Sequence, residues 1–374
     1  MSIWFTASLV GIALLVGIMA LRRRVRPRGG IAPDSTTQVA ALQAAVPEPA
    51  PARSDGDEQE AEASAAAAAA EQAGVRAETL RALREVAFGV TMPPATAAPS
   101  ADELCGAVGE ILANIVDKPN YAPRRPMQLP RLMQAINDES ASRREFSQII
   151  AGDPALAGNL LRLANSPFYR HSPQAVESLD RAVDMLGTEG LRSMIAAALL
   201  QPVFRVSGAS YALFGDVTWE HSLYAAAAAE AHAALVEDAD PFAGQLLALL
   251  IGLATIVIFS VARDQFLARN RAPQPALIAT LIDAHAVSVA RQVATSWALS
   301  ERIDTALAEQ LDAQTTPATA LGRCLQFGEF VGALAVLRGR GVIDDQTAQA
   351  VLQSADIANG AGERIWARLN ITPR

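Results

Sequence analysis

The sequence has few cysteines, few aromatic residues and no surplus of basic charge. Of its 374 residues two are cysteines, Cys105 and Cys324, and aromatic residues make up 5%. Two cysteines so far apart exclude a disulfide framework and a CxxC zinc pattern, so both are expected to be reduced, neutral thiols in a cytosolic setting. The net charge of -8 argues against duplex binding, which depends on basic contacts to phosphate, and we expect no nucleic-acid partner.

Strand signals are also missing, because no convincing alternating apolar run occurs and no Asn-Gly or Asp-Gly pair joins two such runs. The chain is instead 51% hydrophobic and rich in alanine, which has the highest helix propensity and lets helices approach closely. P-loop, dinucleotide-binding and Gly-x-Ser-x-Gly motifs are absent. These patterns predict an all-α protein and supply no catalytic motif, so no cofactor is expected.

The N-terminus, residues 1–28, is predicted to be a transmembrane anchor. Residues 3–21 are uncharged and match the ~20 apolar residues that cross a bilayer, with Trp4 at the outer interface. Basic residues follow this segment at once: Arg22, Arg23, Arg24, Arg26 and Arg28. By the positive-inside rule the N-terminus is outside and the rest of the chain is cytoplasmic, in a single-pass topology.

A cleaved signal peptide fits this segment poorly, because no basic residue precedes it and arginines occupy the cleavage region. The small pairs Ala7/Gly11 and Ala13/Gly17 are spaced for close packing of two anchors, so a homo-oligomer is an open alternative.

Residues 29–100 are predicted to be an Ala/Pro-rich, disordered linker that contains one helix at 65–88. An amphipathic helix is expected within 101–120, since Leu104, Val108 and Leu112 recur at helical spacing.

Residues 121–370 are predicted to form the main helical domain. Asp153-Pro154 is a helix start, and Leu156, Leu160 and Leu163 form the inward face of that helix. The nearly all-apolar segment 242–262 is long enough to be a second membrane span. We favour a buried core helix, since a span would place the following arginines outside.

Three segments carry a family resemblance: 153–156 (Asp-Pro-Ala-Leu), 160–169 (Leu-Leu-Arg-Leu-Ala-Asn-Ser-Pro-Phe-Tyr) and 178–187 (Ser-Leu-Asp-Arg-Ala-Val-Asp-Met-Leu-Gly). Their order and spacing resemble the HDOD family, relatives of HD-type metal-dependent phosphohydrolases that have mostly lost their metal ligands. The resemblance implies a compact multi-helix bundle and a bacterial signalling role through protein–protein contacts, with the anchor in the inner membrane.

The resemblance also assigns the degenerate metal positions. His221 matches the first histidine ligand, Ile251-Gly252 stand where the His-Asp dyad is expected, and His285 matches another histidine of the fold. Glu309-Gln310 replace a His-His pair. Two histidines do not enclose a divalent ion, so no metal and no catalytic residue are expected. His221 is expected to hydrogen-bond in the core, and His171 and His232 to lie on the surface.

Two functional hypotheses remain besides a membrane-anchored, non-enzymatic signalling module. A divergent phosphohydrolase acting on a nucleotide or cyclic dinucleotide would need ligands such as Asp238, Asp240 or Asp283, and a pseudo-hydrolase would keep the pocket as a ligand sensor. For the module, an unidentified signalling protein is the expected partner. The segment 160–169, which carries the family resemblance, contains residues that serve either for packing or as a partner surface: Arg162, Asn165, Ser166, Phe168 and Tyr169.

Overall fold

The computed structural model describes residues 55–92, 103–123, 154–165, 211–312, 315–354 and 361–369, with isolated positions between 131 and 197. The predicted anchor with its arginines, residues 29–54, His171, Ser166, Phe168 and Tyr169 lie outside the described residues. The chain divides into two units, Met1–Ala70 and Glu71–Arg374. Of the first unit, residues 55–70 are described, and they are helical.

The described part of the chain is built from helices and contains no strand, so the all-α prediction is confirmed. In chain order the α-helices are α1 (Asp55–Phe88), α2 (Glu103–Ala113), α3 (Pro154–Ala164), α4 (Ala212–His232), α5 (Pro241–Ala268), α6 (Pro275–Ser296), α7 (Glu301–Ala308), α8 (Ala320–Gly339), α9 (Asp345–Ser354) and α10 (Ala361–Arg368). Short 3-10 turns follow α2 and α7, at Ile115–Asp117 and Glu309–Leu311, and a π-helical turn, Ala233–Glu237, follows α4.

Helix α1 begins ten residues earlier than expected, at Asp55 instead of residue 65. The prediction that these ten residues belong to a disordered linker is wrong, because the segment after Pro51 holds alanine and glutamate, which favour helix without needing a buried face. The C-terminus of α1 falls at Phe88 as predicted. Gly89 follows with φ +66° and lets Val90 N–H donate to the Glu85 carbonyl oxygen, which stops the helix.

Helix α5 is the centre of the domain and is packed against α2, α4, α6 and α8. Asp240 caps its first turn by accepting hydrogen bonds from Phe242 N and Ala243 N, and Pro241 occupies the first position. Twenty of its 28 residues are buried. Such burial is expected because a helix that is apolar on every side must be covered on every side. The interpretation of residues 242–262 as core is therefore supported by the packing.

By length and composition alone, α5, α6 and α8 are each apolar enough to cross a membrane. Their most apolar stretches are 89%, 50% and 78% buried within the protein itself. For α5 and α8 the apolar surface is thus used mainly for helix packing.

Helices α4 and α8 approach each other closely because small residues face one another. A Cβ on Gly332 would lie 2.6 Å from Ala225 N, and one on Gly328 would lie 2.6 Å from the Ala225 carbonyl oxygen. Only glycine permits this backbone separation. Cys324 on α8 is buried, and burial raises the pKa of its thiol to about 12, so it is the neutral thiol expected from the sequence.

Helix α3 confirms the predicted start at Pro154 and the inward face formed by Leu156, Leu160 and Leu163, all of which are buried. The prediction for His232 is wrong. It lies at the end of α4 with 2% exposure and stacks on Phe327 of α8, with ring centroids 4.3 Å apart. His232 is buried because it lies on the face of α4 that packs against α8. The sequence does not show which face that is, because α4 is rich in alanine on all sides.

Candidate functional site

A cavity of about 190 Å³ lies between the C-terminal half of α1 and the central bundle. Four helices of the bundle, α4, α5, α6 and α8, supply its other walls. It is lined by Arg76, Leu80, Leu83, Arg84 and Ala87 of α1; Val217, Thr218 and His221 of α4; Ile251, Gly252 and Thr255 of α5; Ile282, Asp283, Ala286 and Val287 of α6; Gln310; and Leu325, Gln326, Glu329 and Phe330 of α8. The cavity is mainly apolar, with a few polar and charged side chains.

The structure brings most of the predicted degenerate positions to this cavity. His221, Ile251 and Gly252 all line it, although they come from two helices, and Gln310 lines it where a histidine pair was expected. His285 is half-buried and does not line it. Asp283 does line it, as expected for a residue two positions from His285 and therefore on another face of α6. One cavity thus brings together residues that the resemblance assigns to a single pocket.

His221 is held in one orientation by the backbone of α8. Its Nε2 lies 3.0 Å from the carbonyl oxygen of Glu329, and since that oxygen only accepts, the imidazole is the donor. The residue is 7% exposed, and burial lowers its pKa to about 4. His221 is therefore a neutral structural histidine, and the predicted core hydrogen bond is present.

Glu329 is a site residue that the sequence analysis missed. Its side chain keeps 19% of its surface exposed, its Oε1 has no hydrogen-bond partner among the described residues, and desolvation raises its pKa to about 8. The carboxyl group is therefore mainly protonated at neutral pH. Its signal in the sequence is that it is the one acidic residue of α8 and is surrounded there by apolar neighbours.

Two arginines of α1, also missed because the helix was assigned to the linker, supply positive charge to the cavity. Arg76 is 9% exposed, and burial lowers its pKa. The Arg84 Nη2 lies 3.2 Å from Asp283 Oδ1, while its buried Nε has no hydrogen-bond partner in the part of the chain that the structure describes. The cavity therefore contains two guanidinium groups, of which that of Arg84 is paired with Asp283.

These residues do not fit a divalent metal. Within the described residues no group of three or more His, Cys, Asp or Glu side chains is arranged to hold one. Ile251 and Gly252 offer no ligand atoms, and the Nε2 of His221 is occupied by the Glu329 carbonyl oxygen. Two guanidinium groups at the same cavity add electrostatic repulsion against a cation.

The three carboxylates considered as alternative ligands do not converge. Asp240 caps α5, and Asp238 is exposed at the end of the π-helical turn. Asp283 alone lines the cavity, where it pairs with Arg84.

The candidate partner surface is described only at Arg162 and Asn165. Arg162 is exposed on α3, and one of its guanidinium nitrogens donates to Asn159 Oδ1. Asn165 Nδ2 donates to the carbonyl oxygens of Leu161 and Val176, at 2.9 and 2.8 Å, and its Oδ1 accepts from Val176 N at 2.8 Å. The amide of Asn165 therefore joins the end of α3 to the backbone at Val176. This arrangement supports packing, the first of the two roles considered for this segment.

The comparisons with known proteins agree with this architecture. The HDOD domain family matches residues 122–313, just over half of the chain, and the chain therefore belongs to the HDOD family. A search of curated proteins finds no match.

Three solved structures illustrate what the chain is similar to. An HDOD domain protein of unknown function from Geobacter sulfurreducens is 20% identical, with a TM-score of 0.45, covering 66% of this chain and 88% of that one. A provisionally assigned phosphohydrolase from Shewanella amazonensis SB2B is 19% identical, with a TM-score of 0.47, covering 71% and 95%. A provisionally assigned signal transduction protein from Marinobacter aquaeolei VT8 is 17% identical, with a TM-score of 0.44, covering 79% and 63%.

Proposed function

We propose that this HDOD protein is a non-enzymatic signal-transduction module, anchored in the inner membrane, that acts through protein–protein contacts in the cytoplasm. The observation that carries the proposal is the composition of the cavity. Where an HD-type hydrolase would hold its His-Asp dyad, Ile251 and Gly252 line a cavity that also contains Arg76 and Arg84.

The electrostatics of the cavity support the absence of metal chemistry. A hydrolytic metal site lowers the pKa of a bound water with a cation held by several histidines and carboxylates. This cavity has one histidine, already bonded through Nε2, one carboxylate paired with Arg84, and one carboxyl group whose pKa is raised to about 8. The phosphohydrolase alternative has no corresponding observation in its favour.

The anchor supports a role near the membrane. The uncharged residues 3–21 and the arginines that follow them favour a topology with the N-terminus outside and the HDOD domain inside the cell. A tethered domain meets membrane-bound partners at a raised effective concentration. Of the candidate partner surface, Arg162 on α3 is exposed and Asn165 is half-buried, so Arg162 is the one of these two that is available to a signalling partner.

Metal content tests the non-enzymatic part. The full-length protein, purified with its membrane segment, is expected to contain far less than one divalent metal per chain by elemental analysis, also after incubation with Mn²⁺, Fe²⁺ or Zn²⁺. A stoichiometric metal that is lost in His221→Ala, but kept in the matched variant His285→Ala, would overturn the proposal and direct attention to phosphodiester substrates.

Topology is tested separately with reporter fusions. Green fluorescent protein fused at the C-terminus is expected to fluoresce, and alkaline phosphatase fused there is expected to be inactive. The opposite pattern would place the domain outside and contradict the cytoplasmic assignment.

Partner contact is tested by a photo-crosslinking amino acid placed at Arg162 in living cells. A discrete crosslinked protein is expected from this position and not from Arg269, an equally exposed arginine at the end of α5. Equal labelling at both positions would remove the support for a surface at α3.

A further inference from the structure

The cavity beside His221 has properties that the proposed protein–protein contacts do not explain. It contains an arginine that is more than nine-tenths buried, Arg76, and two buried polar atoms, Arg84 Nε and Glu329 Oε1, without hydrogen-bond partners among the described residues. Buried polar atoms in folded proteins are almost always satisfied, by protein, water or ligand. A ligand that supplies acceptors for the arginine donors would complete these interactions.

The size of the cavity limits what it holds. An engineered apolar cavity of about 150 Å³ accommodates benzene, and this one measures about 190 Å³. A molecule of roughly six to ten non-hydrogen atoms fits such a volume. A cyclic dinucleotide is several times larger and does not fit.

The charges define the ligand further. Two arginines, Arg76 and Arg84, line the cavity, and the carboxylate that pairs with one of them, Asp283, has a mainly exposed side chain. Arginine donates to carboxylates through several N–H groups at once. The remaining walls are apolar, with Leu80, Leu83, Ile251, Ile282 and Phe330 among them.

We propose that this cavity is a binding site for a small organic monocarboxylate, whose acid group accepts hydrogen bonds from Arg76 and Arg84 while its short apolar body lies against α5 and α8. The proposal rests on the non-enzymatic function above, because it treats the former hydrolase pocket as a sensor site without turnover.

Such a ligand would contact two parts of the domain at once. Arg76 and Arg84 belong to α1, whereas Ile251 and Glu329 belong to the bundle. A ligand that contacts both therefore stabilises the packing of α1 on the bundle, increasingly so as its concentration rises above the dissociation constant.

The test is titration calorimetry on the full-length protein in lipid nanodiscs, with hexanoate as the probe and empty nanodiscs as the blank. Hexanoate is expected to bind at one site per chain. Hexanamide, hexylamine and hexyl phosphate have similar apolar bodies but differ in charge, and each is expected to bind at least tenfold more weakly. Equal binding of the amide or the amine, or tighter binding of the phosphate, would overturn the monocarboxylate assignment.

Two variants locate the site. Arg76→Gln is expected to weaken hexanoate binding by about tenfold or more, whereas Arg302→Gln, whose side chain is 70% exposed on α7, is expected to leave it unchanged. Ile251→Phe, which fills the cavity without altering its charge, is expected to abolish binding while the protein still unfolds cooperatively. Unchanged affinity in both Arg76→Gln and Ile251→Phe would show that the cavity is not the site.

The two proposals fail in different ways. No hexanoate binding to a metal-free protein would end the ligand inference and leave the signalling proposal intact. Stoichiometric metal with phosphodiester hydrolysis would end the non-enzymatic proposal, and with it the sensor interpretation of the cavity.

Discussion

His221 of α4 donates its Nε2 proton to the backbone carbonyl oxygen of Glu329 on α8, across 3.0 Å. The same nitrogen lies 4.0 Å from the Glu329 side-chain Oε2, but the two groups do not form an ion pair at neutral pH. The pKa of His221 is lowered to about 4 and that of Glu329 is raised to about 8, so both are mainly neutral between these values. The histidine that matches a metal ligand in the parent superfamily is here a structural connection between two core helices.

His221→Ala is therefore expected to destabilise the protein. The change removes a buried hydrogen bond and leaves a cavity, at a combined cost of about 2–4 kcal/mol. Thermal unfolding followed by circular dichroism measures the loss, with the half-buried His285→Ala as the control for removing a histidine. An unaltered melting temperature in His221→Ala would contradict the structural role.

Glu329→Gln is expected to stabilise the protein more at pH 8 than at pH 5. In the unfolded chain Glu329 ionises near its ordinary pKa of 4.5, while in the folded protein it holds its proton up to about 8. Folding therefore requires proton uptake in this range, and stability is lost as pH rises from about 4.5 to 8. Near neutral pH the wild type loses about 2–3 kcal/mol of its free energy of unfolding in this way, and the glutamine variant does not. This value is already reduced to allow for solvent screening of the partly exposed side chain.

His221 acts in the opposite direction on pH. Its folded pKa of about 4 lies below the ordinary 6.5, so its contribution is present above 6.5 and is lost as pH falls toward 4. Melting temperatures of the wild type and Glu329→Gln across pH 4.5–8.5 separate the two effects. A difference between the variants that does not grow with pH would show that Glu329 is ionised in the folded state.

Gly332→Ala is expected to disrupt the contact between α4 and α8. The added Cβ would lie 2.6 Å from Ala225 N and 2.8 Å from Ala225 Cα, and a backbone cannot yield as a flexible side chain does. We expect a loss of about 2–3 kcal/mol. Gly106→Ala is the matched control, because Gly106 is exposed on α2 with nothing within 4 Å of its Cβ position, and it should gain about 0.5–1 kcal/mol. Similar effects of the two changes on chemical denaturation would disprove the close approach.

Asn165→Ala and Arg162→Ala separate packing from partner contact. Asn165 makes three hydrogen bonds to the backbone at Leu161 and Val176, so its loss is expected to cost about 1–3 kcal/mol. Arg162 is exposed and its loss should change stability by less than about 0.5 kcal/mol. Denaturation curves measure both, and a signalling defect in a fully stable Arg162→Ala protein is the result expected of a partner surface.

Much of the fold followed from local patterns. The helix at Pro154, the stripe of Leu156, Leu160 and Leu163, the end of α1 at Phe88 and the apolar run of α5 were all readable from periodicity and capping. The N-terminal limit of α1 was not, because helix formation in a segment of alanine and glutamate depends on propensity alone and leaves no amphipathic pattern.

The candidate site was partly predictable. The family resemblance drew attention to His221, Ile251 and Gly252, and the structure brings these three residues to one cavity. It did not reveal Arg76, Arg84 or Glu329, because these residues lie far apart in the sequence and belong to no motif. His232 was misplaced on the surface for a similar reason, since only the packing of α8 buries it against Phe327.

The sequence by itself determined the helical class and the family, because composition, periodicity and motif order are local properties. The tertiary structure alone decided that α1 forms one wall of the cavity beside His221 and brings two arginines to it. It also decided that a carboxyl group of α8 is buried there, which raises its pKa to about 8. Charge, burial and pKa depend on which distant segments come together, and that juxtaposition is created only when the helices pack.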